Sequence, residues 1–284
     1  MTDLNKILVL GAKGMIGNSI FNVLSKNKEL NVYGTVRKKG NLDYYLHPEK
    51  IIPNLDVTKK EEFHKFLISF KPEIVINCVG ITKHNEKKNH ELFLNVNSTF
   101  SHNLKNFGDK LNFKIIHLSS DCVFSGKKGN YHEKDYPDSN EIYGVSKFLG
   151  EITSDPHLTI RTSIVGHELE TSFGLLEWFL SQKGECKGFK QAYFSGVTTL
   201  FLGNIIKKII IEKPNLSGLF HLSGEKISKF DLLKLFSKYY SKEIKIIPDK
   251  DFKIDRSLDS RKIYRALNVK SLSWEEMLSE MSSH

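Results

Sequence analysis

A tyrosine and a lysine four residues apart form the most reactive pair in this sequence. Tyr143 and Lys147 lie in the segment Tyr-Gly-Val-Ser-Lys, which the pattern places near the start of a helix. Residues four apart share a helix face, so the phenol and the ammonium can point into one cleft. A free phenol titrates at ~10, and a nearby positive charge favours its ionised form. The spacing therefore predicts a phenol tuned for proton transfer.

A serine hydroxyl is expected beside this pair. Ser120 follows the apolar run 113–118, which is typical of a buried strand. The end of that strand lies at the carboxyl edge of a parallel sheet, where open α/β sheets bind their ligands. A hydroxyl at this edge can donate to a carbonyl oxygen while the tyrosine protonates it. The three residues together predict chemistry on a carbonyl group.

Three glycines separate the first predicted strand from the first predicted helix. Gly11 permits a tight turn, Gly14 lets backbone N–H groups approach a pyrophosphate, and Gly17 lets helix and strand pack closely. The helix N-terminus then offers its dipole and its unpaired donors to phosphates. The spacing is GxxGxxG, and its place on a strand–turn–helix unit predicts a dinucleotide site.

The end of the second predicted strand distinguishes between the two nicotinamide cofactors. Enzymes that use NAD carry an acidic residue there, which accepts a hydrogen bond from the ribose 2′-hydroxyl. This chain has Arg37 and Lys38 at that place, and no carboxylate before Asp43. An arginine can hold a 2′-phosphate through its forked donors. The sequence therefore predicts NADPH/NADP+ as the cofactor.

The order of elements needed to position these residues is that of a Rossmann-type α/β fold. Strand-like and helical runs alternate through the first part of the chain, a pattern that predicts a doubly wound parallel sheet. We expect residues 1–165 to form the cofactor-binding domain, with 196–212 packing back onto it. Beyond Gly166 the alternation loosens, and residues 166–284 are expected to form mainly a smaller substrate-binding cap.

Composition excludes several other classes. The net charge of +9 over 284 residues comes from lysines spread along the whole chain, without a motif or basic tail that would indicate nucleic-acid binding. The three cysteines are widely spaced, and the histidines show no metal-binding motif, so we expect no metal. No apolar run has the length of a membrane span or the form of a secretory signal. We expect a cytoplasmic protein that does not bind membranes.

At this point the chain resembles the extended short-chain dehydrogenase/reductases, and in particular their RmlD-type branch of nucleotide-sugar reductases. The resemblance covers most of the chain, and the segment 119–126 is similar to that branch's STDYVFDG. The other matching residues are the glycines of the first turn, the acidic pair Asp56-Val57, the strand end Asn77-Cys78-Val79-Gly80, the segment Leu94-Asn95-Val96, the pair Tyr143/Lys147 and the strand Arg161-Thr162-Ser163.

The resemblance implies roles for named residues. Tyr143 is the implied proton donor, Lys147 its tuner and a ligand of the nicotinamide ribose, Ser120 the group that polarises the keto oxygen, and Asn95 the support of their hydrogen-bond network. The implied cofactor contacts are Gly11, Lys13, Gly14, Met15, Ile16, Gly17, Arg37, Lys38, Asp56, Val57, Cys78, Val79, Gly80, Tyr143, Lys147, Ser163 and Ile164. The implied substrate contacts are Ser120, Asp121, Cys122, Val123, Val197, Thr198 and Arg256.

The implied activity is NADPH-dependent reduction of the C4 keto group of a nucleotide-linked 4-keto-6-deoxy sugar. Cys122 replaces the tyrosine of STDYVFDG, and Ile164 stands where a tryptophan is common, so we expect an altered sugar pocket. Asp121 is not followed by the glutamate that 4,6-dehydratases use, which argues against dehydration. Two alternatives remain, a nucleotide-sugar 4-epimerase and a non-catalytic NADP-binding regulatory subunit. A homodimer is also compatible with the sequence.

Overall fold

The computed structural model describes residues 6–82 and 89–283. In these residues seven parallel strands form the main sheet: β1 (Lys6–Leu10), β2 (Asn31–Thr35), β3 (Ile51–Ile52), β4 (Ile74–Asn77), β5 (Lys114–Ser120), β6 (Leu158–Thr162) and β10 (Gly218–Leu222). Their spatial order is β10-β6-β5-β4-β1-β2-β3. This arrangement confirms the predicted Rossmann-type α/β class.

Helices cover both faces of the sheet, because both faces of its strands are apolar. In β1, Ile7 and Val9 join one core cluster while Leu8 and Leu10 join another. The helices are α1 (Met15–Ser25), α2 (Lys60–Phe70), α3 (His90–Phe93), α4 (Phe100–Leu111), α5 (Ile142–Leu149), α6 (Leu175–Ser181), α7 (Thr199–Glu212), α8 (Lys229–Tyr239), α9 (Arg261–Leu267) and α10 (Trp274–Ser282). A π-helical segment, Leu94–Thr99, joins α3 to α4.

Parts of the C-terminal portion return to the main sheet. Helix α7 packs on α1, where a Cβ at Gly203 would stand only 3.0 Å from the side chain of Val23. Strand β10 pairs with β6 and becomes the edge strand of the sheet. Because β10 lies within residues 166–284, the range expected to form mainly the cap also contributes a strand to the main sheet.

The remaining strands form two small sheets beside the carboxyl edge of the main sheet. Long strands β8 (Glu185–Phe194) and β12 (Lys245–Asp255) run parallel, and β11 (Ile227–Ser228) pairs with β8. Short strands β7 (Ile164–Val165) and β9 (Val197–Thr198) pair with each other. The sequence did not predict this three-stranded sheet. Within the part of the chain that the structure describes, no helix is both long enough and apolar enough to cross a membrane.

Candidate active site

The glycine turn has the geometry that a pyrophosphate needs. Gly11 has φ +78°, a conformation that side chains oppose. A Cβ at Gly17 would stand 2.2 Å from the carbonyl oxygen of Gly11, so only glycine lets α1 approach the turn this closely. Gly14 is the N-cap of α1, and no side chain caps this helix end. Its backbone N–H groups are therefore open to an anionic ligand. The residues present fit a dinucleotide.

Basic side chains surround the end of β2. Arg37 and Lys38 are exposed, and the Lys13 ammonium lies beside Gly40, within 3.3 Å of its ideal Cβ. Burial opposes ionisation of Asp56, but hydrogen bonds from Thr58 and the charges of Arg37 and Lys59 outweigh it and lower the pKa of Asp56. The turn, the strand end and the predicted acidic residue thus lie in one region.

The end of β4 runs between the glycine turn and the reactive lysine. An ideal Cβ on Gly11 would touch Val79 at 3.3 Å, and one on Gly80 would lie 3.9 Å from Lys147 Nζ. The Asn77 side chain accepts a hydrogen bond from the Val79 N–H at 3.1 Å, which fixes this segment. Burial raises the pKa of Cys78 to about 12, so its thiol stays protonated at neutral pH.

The structure brings Ser120 and Tyr143 together at the carboxyl edge of the sheet. Ser120 is the last residue of β5, and Tyr143 is the second residue of α5. Burial, the neighbouring Cys122 and the Asp121 carboxylate raise the pKa of Tyr143, whereas the contact with the Ser120 hydroxyl lowers it. The sequence-based expectation of a lowered pKa rests on Lys147 together with a positive nicotinamide ring; among the protein's own groups, burial outweighs the lowering effects of Ser120 and Arg256. At neutral pH the phenol holds its proton.

Lys147 lies one helical turn after Tyr143 and is almost completely buried. Its ammonium donates to the carbonyl oxygen of Leu118 at 2.7 Å. Burial lowers the pKa of Lys147 to about 8, and the nearby Glu151 and Cys78 act in the opposite direction. The lysine is therefore mostly charged at neutral pH.

The supporting asparagine is Asn97, and the prediction of Asn95 was wrong. Asn97 is buried in the π-helical segment, whereas Asn95 is exposed. The Asn97 side chain accepts from the Ile81 N–H at 2.8 Å and donates to the Ile81 carbonyl oxygen at 3.1 Å and to Ser146 Oγ at 3.0 Å. The apolar residue Phe93 could have identified it, because position 97 lies four residues later on the same buried helix face.

One cleft of about 580 Å³ collects most of the remaining predicted residues. Its wall contains Met15 and Ile16 from α1, and Ser163 and Ile164 after β6. It also contains Ser120, Asp121, Cys122, Tyr143 and Arg256. The cofactor-side and substrate-side predictions therefore meet in one space.

A sequence model described as the RmlD substrate binding domain matches residues 5–284. The chain belongs to this family. A dTDP-4-dehydrorhamnose reductase of Aggregatibacter actinomycetemcomitans is 25% identical over 310 residues, covering 98% of this chain and 99% of the relative. The predicted relationship to RmlD-type reductases, a group of NAD(P)H-dependent oxidoreductases, is confirmed.

Solved structures share the fold. The dTDP-4-dehydrorhamnose reductase of Bacillus anthracis str. Ames in complex with NADP has a TM-score of 0.78 at 21% identity, covering 98% of both chains. The UDP-glucose 4-epimerase of Thermotoga maritima with UDP-glucose has a TM-score of 0.80 at 17% identity, covering 98% of this chain and 97% of that chain. At these identities the two structures establish a common architecture.

Three of the predicted substrate contacts do not line the cleft of this RmlD-family chain. Val123 and Val197 are completely buried, and Thr198 is 1% exposed. Val197 pairs with Ile164 between the short strands, and the Thr198 side chain caps α7. The expectation of direct substrate contact is corrected for these residues, which support the cleft wall from behind.

Arg256 lies in the cleft wall, but its nitrogen atoms are engaged by the protein. Nε donates to the Phe124 carbonyl oxygen at 2.9 Å, Nη1 to Cys122 Sγ at 3.3 Å and Nη2 to Glu141 Oε1 at 3.1 Å. Arg256 therefore forms one hydrogen-bonded corner with Cys122, which is one of the two residues that depart from the RmlD pattern. The predicted contact with a diphosphate gains no support from this arrangement.

The sequence reasoning missed the far wall of the cleft. This wall comes from the small three-stranded sheet and the helices beside it, and it includes aromatic and basic side chains. They are Phe189 and Phe252, whose ring centroids are 5.1 Å apart, and Lys187 and Lys229. The alternation of side chains in 185–194 was the available signal, since alternate residues face one side of a strand.

Proposed function

We propose that this chain reduces the C4 keto group of a nucleotide-linked 4-keto-6-deoxy sugar with NADPH. The observation that carries the proposal is the convergence of Ser120, Tyr143 and the α1 N-terminus on one cleft. The relative from Aggregatibacter supports the substrate class, because that dTDP-4-dehydrorhamnose reductase aligns over almost the full length of both proteins.

Each catalytic side chain has a distinct task in this reaction. The Ser120 hydroxyl donates to the keto oxygen, and the Tyr143 phenol delivers the proton to the same oxygen. A raised pKa suits Tyr143 as a donor, since the phenol still carries its proton at neutral pH. The Lys147 ammonium stabilises the negative charge that develops on the phenol. When bound, NADPH supplies the hydride that adds to the carbonyl carbon.

The cofactor site extends from the glycine turn to the reactive edge. Gly11, Gly14 and Gly17 would hold the pyrophosphate, with Met15 and Ile16 beside it. Arg37 and Lys38, together with Lys13, would hold the 2′-phosphate, and Asp56-Val57 the adenine. The remaining contacts would come from Cys78, Val79, Gly80, Lys147, Ser163 and Ile164. Asn97 would act indirectly, through its hydrogen bonds to Ser146 and Ile81.

The far wall is suited to the nucleotide half of the substrate. A volume of about 580 Å³ is within the usual range for small-molecule sites. Phe189 and Phe252 offer aromatic faces to a base, and Lys187 and Lys229 offer positive charge to a diphosphate. We therefore assign substrate binding mainly to residues 166–284 and cofactor binding to residues 1–165 with 196–212.

A 4-epimerase is the alternative within the same chemistry, and a regulatory NADP-binding subunit the alternative outside it. The basic end of β2 favours NADPH and so argues against an epimerase that retains NAD. The Ser120 and Tyr143 side chains are in contact with each other. This argues against a pure binding subunit, because such a protein has no need of a reactive serine–tyrosine pair.

The test is NADPH consumption across a panel of 4-keto nucleotide sugars. A reductase consumes NADPH with one of them, an epimerase converts a sugar without net consumption, and a regulatory subunit does neither. Tyr143→Phe should abolish turnover and leave NADPH affinity nearly unchanged. Tyr136→Phe is the matched control, because Tyr136 is 78% exposed outside the cleft. Full turnover by Tyr143→Phe would refute the proton-donor role.

We further propose a cytoplasmic homodimer without nucleic-acid or membrane partners. Cys78, Cys122 and Cys186 form no disulfide, as is usual in a reducing compartment. Leu92, Leu149 and the neighbouring Leu94 expose apolar side chains on adjacent helical segments. Leu149→Glu should convert a dimer to a monomer in sedimentation experiments, and a wild-type protein that is monomeric at high concentration would contradict the dimer.

A further inference from the structure

A buried ion pair lies just below the reactive edge of the sheet. Arg161 Nε donates to Glu151 Oε1, and Nη2 donates to Oε2, both at 2.7 Å. The two side chains are 2% and 4% exposed. The forked geometry requires a carboxylate. Burying two charges costs desolvation energy that offsets much of their attraction, so a buried pair of this kind is weak evidence for stability. Its place beside the reactive residues therefore points to a role other than stability.

The pair is attached to the strand that ends in the catalytic serine. Ser119, the residue before Ser120, donates from its hydroxyl to Glu151 Oε1 at 2.7 Å. In the sheet, Ser119 lies opposite Arg161 and Arg161 lies opposite His221. Arg161 Nη1 donates to His221 Nε2 at 3.3 Å. The Glu151 carboxylate is thereby held by groups from two strands.

Glu151 also stands one helical turn beyond Lys147. Helix α5 ends at Leu149, and the chain then turns through Gly150 so that Glu151 points back to the buried layer. The Arg161 charge acts on the other side of the pair, where burial and then Arg161 lower the pKa of His221 to about 3. The Glu151 carboxylate of the pair therefore faces Lys147, and the Arg161 guanidinium faces His221.

The other titratable groups that face Lys147 carry no opposite charge at neutral pH. They are Cys78 from the end of β4 and His117 from β5, with Tyr143 one helical turn earlier in α5. Burial raises the pKa of Cys78 and of Tyr143. Burial, Lys147 and His102 hold the pKa of His117 well below its usual value, so the imidazole is neutral. Among these groups Glu151 alone opposes the effect of burial on the lysine with a full negative charge.

We propose that Glu151 is a positioning residue that keeps the buried Lys147 ammonium charged, and that Arg161 and Ser119 hold its carboxylate in place for this task. Its meaning for catalysis rests on the proposed function, in which a charged Lys147 stabilises the phenol. The electrostatic effect itself does not require substrate or cofactor, and it can be measured on the protein alone.

The test is the titration of Lys147 followed by NMR of protein with 15N-labelled lysine side chains, the resonance being assigned by its loss in Lys147→Met. Glu151→Gln removes the negative charge and leaves the buried Arg161 without an opposite charge, so this variant can fail to fold. Glu151→Gln with Arg161→Met removes both charges, so no buried charge is left unpaired. In this double variant the midpoint of the Lys147 titration should fall by about one pH unit, a tenfold change in its acidity.

Glu133→Gln is the matched control. Its carboxylate accepts from the His221 N–H at 3.0 Å, on the far side of the same network, and its removal should leave the Lys147 titration unchanged. A folded double variant with the wild-type midpoint would overturn the proposal and reduce Glu151 to the partner of Arg161. A lowered midpoint in a protein that consumes no NADPH with any sugar would support the inference and count against the proposed function. With an active protein, the alkaline limb of kcat/KM should move with the midpoint.

Discussion

The stability of Lys147→Met relative to wild type should fall as the pH rises above neutral. Burial lowers the pKa of Lys147 from 10.5 to about 8 in the folded state. A difference of roughly 2.5 pKa units at about 1.4 kcal/mol per unit corresponds to a cost of about 3.5 kcal/mol for keeping the charged lysine buried at neutral pH. Methionine has a similar length and carries no charge.

The sign of the pH dependence follows from proton binding. Because the folded pKa lies below the unfolded one, the unfolded wild-type chain binds more protons between about pH 8 and about pH 10.5. The stability contributed by this group therefore rises through that window, as the buried lysine loses its charge. The variant has no such group. Its stability relative to wild type should therefore fall by about 2 kcal/mol between about pH 7 and about pH 9.5.

The measurement is urea unfolding of both proteins at several pH values, with the difference in free energy of unfolding plotted against pH. The lost hydrogen bond to the Leu118 carbonyl and any change in packing add a constant offset, which cancels in the slope. Lys110→Met, which removes an exposed lysine of α4, should give a flat line. A difference between Lys147→Met and wild type that does not change with pH would refute the assignment of a destabilised ammonium.

Three further outcomes follow from the geometry. Arg37→Ala should weaken NADPH binding by about tenfold to a hundredfold, as loss of charge-assisted hydrogen bonds requires, and NADH binding far less; equal losses in a fluorescence titration would exclude a 2′-phosphate role. Asn97→Ala should lower the free energy of unfolding by about 1–3 kcal/mol because it leaves buried partners unpaired, whereas Asn95→Ala, at an exposed position, should change it by about 0.5 kcal/mol or less. Gly17→Ala should cost about 2 kcal/mol or more, since its Cβ would overlap a backbone oxygen. Gly14→Ala, whose Cβ meets nothing closer than 3.4 Å, is its control in the same unfolding assay.

The parts of the fold that the sequence predicted are those specified by local patterns. The glycine turn after β1 and the strand that ends in Ser120 each carry their signal within about ten residues. The Tyr143/Lys147 pair is equally local, since a helix alone places the two side chains on one face. Such signals survive folding because neighbouring residues in the chain stay neighbours in space.

The cap could not be derived in this way, because distant segments build it. Strands β8 and β12 pair with each other from positions about sixty residues apart, and neither strand carries a turn signal that identifies its partner. The aromatic wall of Phe189 and Phe252 exists only once that pairing is made. Pairing between remote strands is set by packing and not by local preference.

The error at Asn95 and the omission of Glu151 share a cause that bears on how this site works. Both corrections concern polar side chains in the layer beneath the reactive edge, where burial and partner decide the role. Asn97 and Glu151 are polar residues, and in a sequence read for runs of apolar residues they appear as interruptions of those runs. A buried lysine requires such interruptions, because an ammonium in an apolar layer would lose its proton well below its usual pKa. The polar layer under the sheet edge is therefore a condition for the chemistry above it, and the part of the site that residue spacing alone does not reveal.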